Sequence, residues 1–156
     1  MRLNEVLNTV IDWRWDSSVP SPQMRSAIAK FEIGESQYLV SFTTTHKASD
    51  EGEEYNASEI VFAYRESSRA KWRTDITRSG NALAVFGTVK AVMDQYIAKA
   101  KPEAIYFSAD KFEPSRTKLY SRFARSLEKQ GWEHHEPELD DEYVAGTILV
   151  PPGAKR

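Results

Sequence analysis

The chain has no cysteine among its 156 residues. That absence excludes thiol nucleophiles, disulfide frameworks and cysteine-based zinc sites, and it agrees with a reducing compartment. The sequence also lacks an apolar run of the length that a signal peptide or a membrane span requires. A formal net charge of -2 gives no overall positive field to attract nucleic acid. We therefore expect a cytoplasmic protein with no membrane partner.

The length and composition are those of one ordinary folded domain. With 40% hydrophobic residues, a chain of 156 residues can bury a core without the help of metal ions or disulfides. We therefore expect a single domain that spans residues 1–156.

The first half of the sequence predicts one helix and several strands. Apolar residues at helical spacing over residues 3–11 predict a short opening helix. Gly34 then separates two β-rich segments, which predicts an antiparallel hairpin. The acidic residues 47–56 predict a mobile connection. The strands are expected at residues 26–33, 37–44, 59–65 and 71–76.

The next segment predicts a β-α-β unit. Apolar residues between 85 and 97 recur at helical spacing and predict an amphipathic helix, which Asn81 can cap. Residues 104–109 are apolar almost throughout, which is typical of a strand covered on both faces. A strand, a helix and a parallel strand in this order predict a right-handed crossover.

The last segment predicts a second helix and a closing hairpin. Pro114 suits a first helical turn and Gly131 suits the position just past a helix end, so they bracket a helix of roughly four turns. The hairpin strands are expected at residues 132–135 and 143–150. Within the first of them, His134 and His135 would point to opposite faces, so we expect no metal site.

The turn before the β-α-β helix is the best candidate for a binding site. Gly80 lies where free backbone N–H groups and the helix dipole favour a phosphate, and a glycine lets the backbone approach an anion closely. The same residues equally fit a helix cap and a tight turn that bind no ligand.

Two motifs resemble the GNAT family of N-acetyltransferases. Residues 77–82 are similar to the family's pyrophosphate loop at Gly80 and Ala82, and residues 115–120 are similar to its later helix, which contains a Leu-Tyr pair. Together with residues 106–109 they also resemble short GNAT-like proteins of bacteriophages. The resemblance covers the last half of the chain. It implies an α+β (α/β) fold with a mixed, mainly antiparallel twisted sheet and a β-α-β-α core in the C-terminal half.

The same resemblance implies an enzyme that uses acetyl-coenzyme A to acetylate an amine by direct attack on the thioester. The acceptor would be a small molecule or a protein. Tyr120 would protonate the departing thiolate, because a phenol stays protonated at neutral pH. Tyr120 also shares an apolar face with Phe123 and Leu127, which is typical of a core residue. The residues expected to bind coenzyme A are Arg78, Ser79, Gly80, Asn81, Ala82 and Arg116.

Three of the candidate residues are selected by the chemistry of their side chains rather than by a motif. Glu59 and Asp75 lie on predicted strands, and either carboxylate could act as the base that activates the amine. Arg116 falls on the inward face of the second helix, near its start. There it would hold a phosphate or carboxylate, or form an internal ion pair with Asp110 or Glu113.

Two other functions are compatible with the sequence. A noncatalytic GNAT-like phage protein could bind a host or virion protein in the host cytoplasm, with Trp13, Trp15 and the acidic residues 51–54 as contacts. In the first half we predict one helix, where GNAT enzymes usually carry two that help to form the acceptor site. The basic patch around Trp72 could bind nucleic acid or the adenosine 3′-phosphate of coenzyme A, although a solvated loop is the favoured interpretation. Its cations are Arg65, Arg69, Lys71, Arg73 and Arg78.

Overall fold

The computed structural model describes residues 10–16, 18–73, 82–111, 114–139 and 143–153. Within these ranges the chain is an α+β protein with seven strands and two helices. The elements are β1 (Trp13–Trp15), β2 (Ser26–Ile33), β3 (Ser36–Ala48), β4 (Glu54–Arg65), α1 (Ala82–Ala100), β5 (Ala104–Asp110), α2 (Pro114–Lys129), β6 (Glu133–His135) and β7 (Val144–Val150). Neither described helix has the length and apolar character that crossing a membrane requires.

The strands form one mixed sheet in the order β1-β2-β3-β4-β5-β7-β6. Strands β4 and β5 are parallel, whereas β1 with β2, β5 with β7 and β6 with β7 are antiparallel. A two-residue turn joins β2 to β3, and a connection that short makes neighbouring strands antiparallel. Parallel neighbours need a crossover, and here it contains α1. The prediction of a mixed, mainly antiparallel sheet is confirmed.

The chain forms two compact units. The first unit comprises Met1–Ser41 and Val61–Lys101, and the second unit comprises Phe42–Ile60 and Pro102–Arg156. The expectation of a single domain stays a prediction.

The core of the first unit is aromatic. The rings of Phe31 and Tyr38 stack with centroids 4.9 Å apart, and Tyr38 also stacks on Phe62 and Tyr64. The buried face of α1 consists of Val85, Val89, Val92, Met93 and Tyr96. Because these rings and aliphatic side chains leave water together, the hydrophobic effect stabilises this layer.

The second unit has apolar residues on both faces of β5. On one face, the ring of Phe107 contacts the rings of Tyr120 and Phe123 from α2, with centroids 5.4 and 6.4 Å away. A further buried cluster consists of Tyr55, Ala57, Ala104, Tyr106, Ile148 and Val150. The prediction that β5 is covered on both faces is therefore confirmed.

Several predicted elements have the expected bounds. The hairpin of β2 and β3 turns at Gly34, which has a φ of 61°, a conformation that glycine adopts without strain. Helix α2 begins at Pro114, and Gly131 follows its end with a φ of 95°. The closing hairpin is present as β6 and β7, and β7 ends immediately before Pro151.

Two predicted loop and strand assignments are wrong. Residues 47–56 are not a long connection, because β3 continues to Ala48 and β4 begins at Glu54. Their polar side chains favoured a loop, but Tyr55 and Ala57 are buried on either side of the exposed Asn56, as in a strand. The predicted strand at 71–76 fails over its described part. Of residues 71–73, only Arg73 pairs, in an isolated bridge to Tyr64, and residues 74–76 lie outside the described residues.

At the N-terminus the prediction missed β1. Trp13 and Trp15 pair with Phe31 and Ala29 of β2, and three residues are too few to give a recognisable alternation. Of the predicted opening helix, Val10 and the residue after it are not helical, and the remainder lies outside the described residues.

Candidate functional site

Most of the predicted cofactor loop lies outside the described residues. This applies to Asp75, Arg78, Ser79, Gly80 and Asn81. Ala82 is the first residue of α1, and Arg116 is in the first turn of α2, but their side chains also lie outside the description. The structure therefore bears on Tyr120 and Glu59 among the predicted site residues.

A cavity of about 270 Å³ lies in the second unit, between α2 and the strands β5 and β7. Its wall includes Thr117, Tyr120 and Ser121 from α2, and Phe107, Ser108 and Gly146 from the sheet. Pockets that bury a drug-sized ligand usually measure roughly 300–1,000 Å³. This cavity therefore suits a small group, such as the acyl end of a longer molecule.

Tyr120 has the properties of a core residue and also lines this cavity. Its side chain is 4% exposed, and its ring lies 5.4 Å from that of Phe107. Leu127 and Phe123 are buried on the same helix, as the apolar spacing predicts. The packing therefore holds the phenol ring in place at the cavity wall. Tyr120 is a core residue, and its catalytic role stays a prediction.

Glu59 and the hydroxyl of Ser108 lie on the face of β5 that carries Tyr106, because alternate strand residues point to opposite faces and Phe107 packs on Tyr120. The hydroxyl Oγ of Ser108 donates to Oε2 of Glu59 at 3.1 Å, and Ser108 lines the cavity. The two residues are brought together because Glu59 pairs with Tyr106 in the parallel ladder of β4 and β5, two residues before Ser108. Sequence reasoning did not select Ser108, although a serine within an almost wholly apolar run was a usable signal.

Tyr106 is a buried neighbour of this carboxylate. Burial raises the pKa of the Tyr106 phenol, and the negative charge of Glu59 raises that pKa further, while a hydrogen bond with Ser108 lowers it. The ammonium of Lys47 lies 4.6 Å from the centroid of the Tyr106 ring. The phenol is therefore neutral at physiological pH and adds no second negative charge beside Glu59.

Gly146 makes room for the Tyr106 ring. A Cβ atom at Gly146 would lie 3.0 Å from the phenol oxygen of Tyr106 and 3.1 Å from Cγ of Pro137. Both distances are shorter than ordinary van der Waals contacts between such atoms. A side chain at this position would therefore displace Tyr106 or Pro137. The absence of a side chain at Gly146 thus leaves room for the phenol of Tyr106.

The two histidines of β6 have separate surroundings. His134 pairs across the ladder with Leu149, lines the cavity and contacts carboxylates of Glu128 and Glu136 at 3.3 and 3.2 Å. His135 pairs with Ile148, and its ring lies 5.7 Å from that of Tyr55. In the part of the chain that the structure describes, no group of three or more acidic or histidine side chains is arranged to hold a metal ion.

Other predicted contact features already have partners within the fold. The rings of Trp13 and Trp15 meet edge to face at 5.1 Å, and Nε1 of Trp15 donates to Oε1 of Gln95 at 2.6 Å. Glu53 accepts a hydrogen bond from the phenol of Tyr55 at 3.0 Å. These contacts anchor the candidate interface residues to their own unit.

Helix α2 carries a stripe of exposed basic residues opposite its buried apolar face. Its residues are Lys118, Arg122, Arg125 and Lys129. Their exposure is that of a solvated helix face, and Arg125 also lines the cavity.

Comparison of the chain with protein-family models, curated proteins and solved structures gave no match. The argument for function therefore rests on the fold and on the geometry of this cavity.

Proposed function

We propose that the chain is an acetyl-coenzyme A dependent N-acetyltransferase with a GNAT-like fold. The observation that carries the proposal is the small cavity whose wall contains Tyr120. A phenol at the wall of such a cavity can give a proton to a leaving group, and Glu59, hydrogen-bonded to Ser108, is the candidate base on the other face of β5. The order β4, α1, β5 and α2 supports the GNAT-like fold, because the resemblance depends on that order.

In this proposal, acetyl-coenzyme A supplies the acyl thioester. Backbone N–H groups at the start of α1 would bind its pyrophosphate, since a helix N-terminus favours an anion. The residues assigned to that role are Arg78, Ser79, Gly80, Asn81 and Ala82, with Arg116 as a further cation. The cavity of about 270 Å³ has the size for an acetyl group and an amine.

The catalytic roles fall to three side chains. The carboxylate of Glu59 accepts a proton from the attacking amine through the hydroxyl of Ser108. The hydrogen bond from Ser108 also fixes the position of one carboxylate oxygen of Glu59. Tyr120 holds a proton on its phenol oxygen for the leaving group. Asp75 stays the alternative base.

A transfer assay tests these roles. The assay follows the release of free coenzyme A from acetyl-coenzyme A with a panel of primary amines and lysine peptides. We expect Glu59→Gln to lower the rate by about 10²–10⁴-fold, which is the usual contribution of a general base. Glu54→Gln is the control, because Glu54 is an exposed carboxylate on the same strand. Equal rates in the two variants would remove Glu59 from the mechanism.

One observation favours the noncatalytic alternative. Between β1 and β2, residues 16 and 18–25 contain no helix, whereas GNAT enzymes usually carry two helices there that help to form the acceptor site. A GNAT-like phage protein that binds a host or virion protein would not need that site. A stable stoichiometric complex with one such partner, formed without acetyl-coenzyme A, would favour this alternative, and amine-dependent release of coenzyme A would exclude it.

A further inference from the structure

Two cations in the first unit lie directly opposite each other. Arg14 of β1 and Lys30 of β2 are paired residues in the antiparallel ladder. Like charges in that position destabilise a strand pair. Arg14 lies 3.8 Å from Glu32 and Lys30 lies 3.1 Å from Asp16, but exposed ion pairs of this kind contribute little. Folding alone therefore does not account for the two cations.

A third cation, Arg65, lies beside Arg14 and Lys30 and is held in a fixed orientation. Nε of Arg65 donates to Oε1 of Gln37 at 2.6 Å, and the guanidinium carbon of Arg65 lies 4.5 Å from the centroid of the Trp72 ring. A guanidinium held on two sides presents its planar donors with little further loss of entropy. Such an arrangement suits an anion with two or more oxygens.

These side chains surround one cavity of about 190 Å³ within the first unit. Its lining includes Arg14, Lys30, Glu32, Gln37, Arg65 and Trp72. The three lining cations outnumber the two carboxylates beside them, Glu32 in the lining and Asp16 on Lys30, so the cavity keeps an excess of positive charge although the whole chain has a net charge of -2. Trp72 is 39% exposed, so part of its ring remains accessible to a ligand.

We propose that this cavity binds a phosphate monoester carried by an aromatic base, that is, a nucleoside monophosphate. A phosphate monoester carries about −1.5 to −2 charges at neutral pH and three acceptor oxygens, which match two opposed cations and a guanidinium. The volume suits the phosphate group, and the base would stack on the exposed part of Trp72. The site is independent of the acetyl-transfer proposal, because it uses none of the residues assigned there.

The test is a calorimetric titration of the full chain with 5′-AMP, adenosine and inorganic phosphate. We expect saturable binding of 5′-AMP that falls at least tenfold in Arg65→Gln and in Arg14→Gln. Arg69→Gln is the matched control, because Arg69 is an exposed cation close to Trp72 in sequence that does not line the cavity. Thermal melting of each variant shows that it is folded. Arg14→Gln keeps the test valid if Arg65→Gln does not fold.

The outcomes separate the proposal from its rivals. Absence of 5′-AMP binding, or equal losses in Arg65→Gln and Arg69→Gln, would overturn it. If inorganic phosphate binds as tightly as 5′-AMP, the proposed stacking of a base on Trp72 is overturned. If an oligonucleotide binds but 5′-AMP does not, the surface binds nucleic acid instead of a mononucleotide. If 5′-AMP binds, displacement by coenzyme A identifies its phosphorylated adenosine end as the source of the group. Failure of coenzyme A to displace it identifies a free mononucleotide.

Discussion

The two units place their charged groups in opposite ways. In the first unit the aromatic core is free of charge, and the cations Arg14, Lys30 and Arg65 gather around a cavity at the surface. In the second unit a carboxylate, Glu59, is half-buried beside Tyr106 and accepts a hydrogen bond from Ser108. The first arrangement places like charges opposite each other, which disfavours folding, whereas the second is stabilised by its hydrogen bond. A local cost such as that in the first unit is expected at functional sites.

The largest effect is expected at Gly146, where an added Cβ atom would meet Tyr106 and Pro137. We expect Gly146→Ala to lower the free energy of unfolding by about 1–3 kcal/mol, the usual cost of adding a methyl group to a filled space. The new Cβ would lie 3.0 Å from the phenol oxygen of Tyr106. Urea denaturation measures the change. Tyr106→Phe in the same chain should recover part of it, and strictly additive effects of the two changes would contradict the contact.

A smaller effect is expected from the hydrogen bond that supports Glu59. Ser108→Ala removes the hydroxyl that donates to Glu59, and we expect a loss of about 1 kcal/mol of stability, as for a typical hydrogen bond. Ser121→Ala is the control, since Ser121 also lines the cavity. Denaturation of both variants measures the difference. Equal stability of the two would mean that the carboxylate does not depend on Ser108.

The raised pKa of Tyr106 predicts a loss of stability in alkali. Above pH about 10 the unfolded chain releases this phenol proton while the folded chain keeps it, so unfolding becomes easier as the pH rises. The stability that this pKa difference contributes is fully present below that pH. It is lost once the phenol has also lost its proton in the folded chain. We expect Tyr106→Phe to flatten this part of the stability profile. Tyr143→Phe changes an exposed ring and should leave the pH dependence of stability as it is in the wild type. If Tyr143→Phe flattens the profile as much as Tyr106→Phe does, the alkaline loss of stability does not come from Tyr106.

The smallest effect is expected in the first unit. Arg14→Gln removes one of two opposed charges, so we expect stability to stay within about 0.5 kcal/mol of the wild type or to rise slightly. The same change should weaken 5′-AMP binding. Thermal denaturation measures the stability, and a clear loss would mean that the contact of Arg14 with Glu32 stabilises the fold more than the repulsion from Lys30 destabilises it.

Elements with a long and regular apolar pattern could be predicted from the sequence. Helix α2 could be bracketed by Pro114 and Gly131, and β5 by its continuous apolar run, because these signals are local. Strand β1 could not, because three residues carry too little pattern and the strand depends on pairing with β2. The prediction of a connection at 47–56 was wrong because β4 begins at Glu54 and buries Tyr55 between two exposed polar residues.

The candidate sites depend on contacts between distant residues. Glu59 could be selected by residue type, but its hydrogen bond to Ser108 joins positions 49 residues apart. The opposition of Arg14 and Lys30 likewise follows from strand register, which the sequence does not reveal. Residue chemistry therefore predicts which side chains can react or bind, and only the fold determines which of them lie together.

The central claim is that this fold binds acetyl-coenzyme A, and calorimetry with the purified protein tests it most directly. We predict saturable binding that is lost in Gly80→Glu, because a carboxylate at the start of α1 would repel the pyrophosphate and occupy its place. Gln130→Glu, which adds the same charge at an exposed turn after α2, should bind as the wild type does. Absence of binding at high concentration, or equal binding by both variants, would contradict the account.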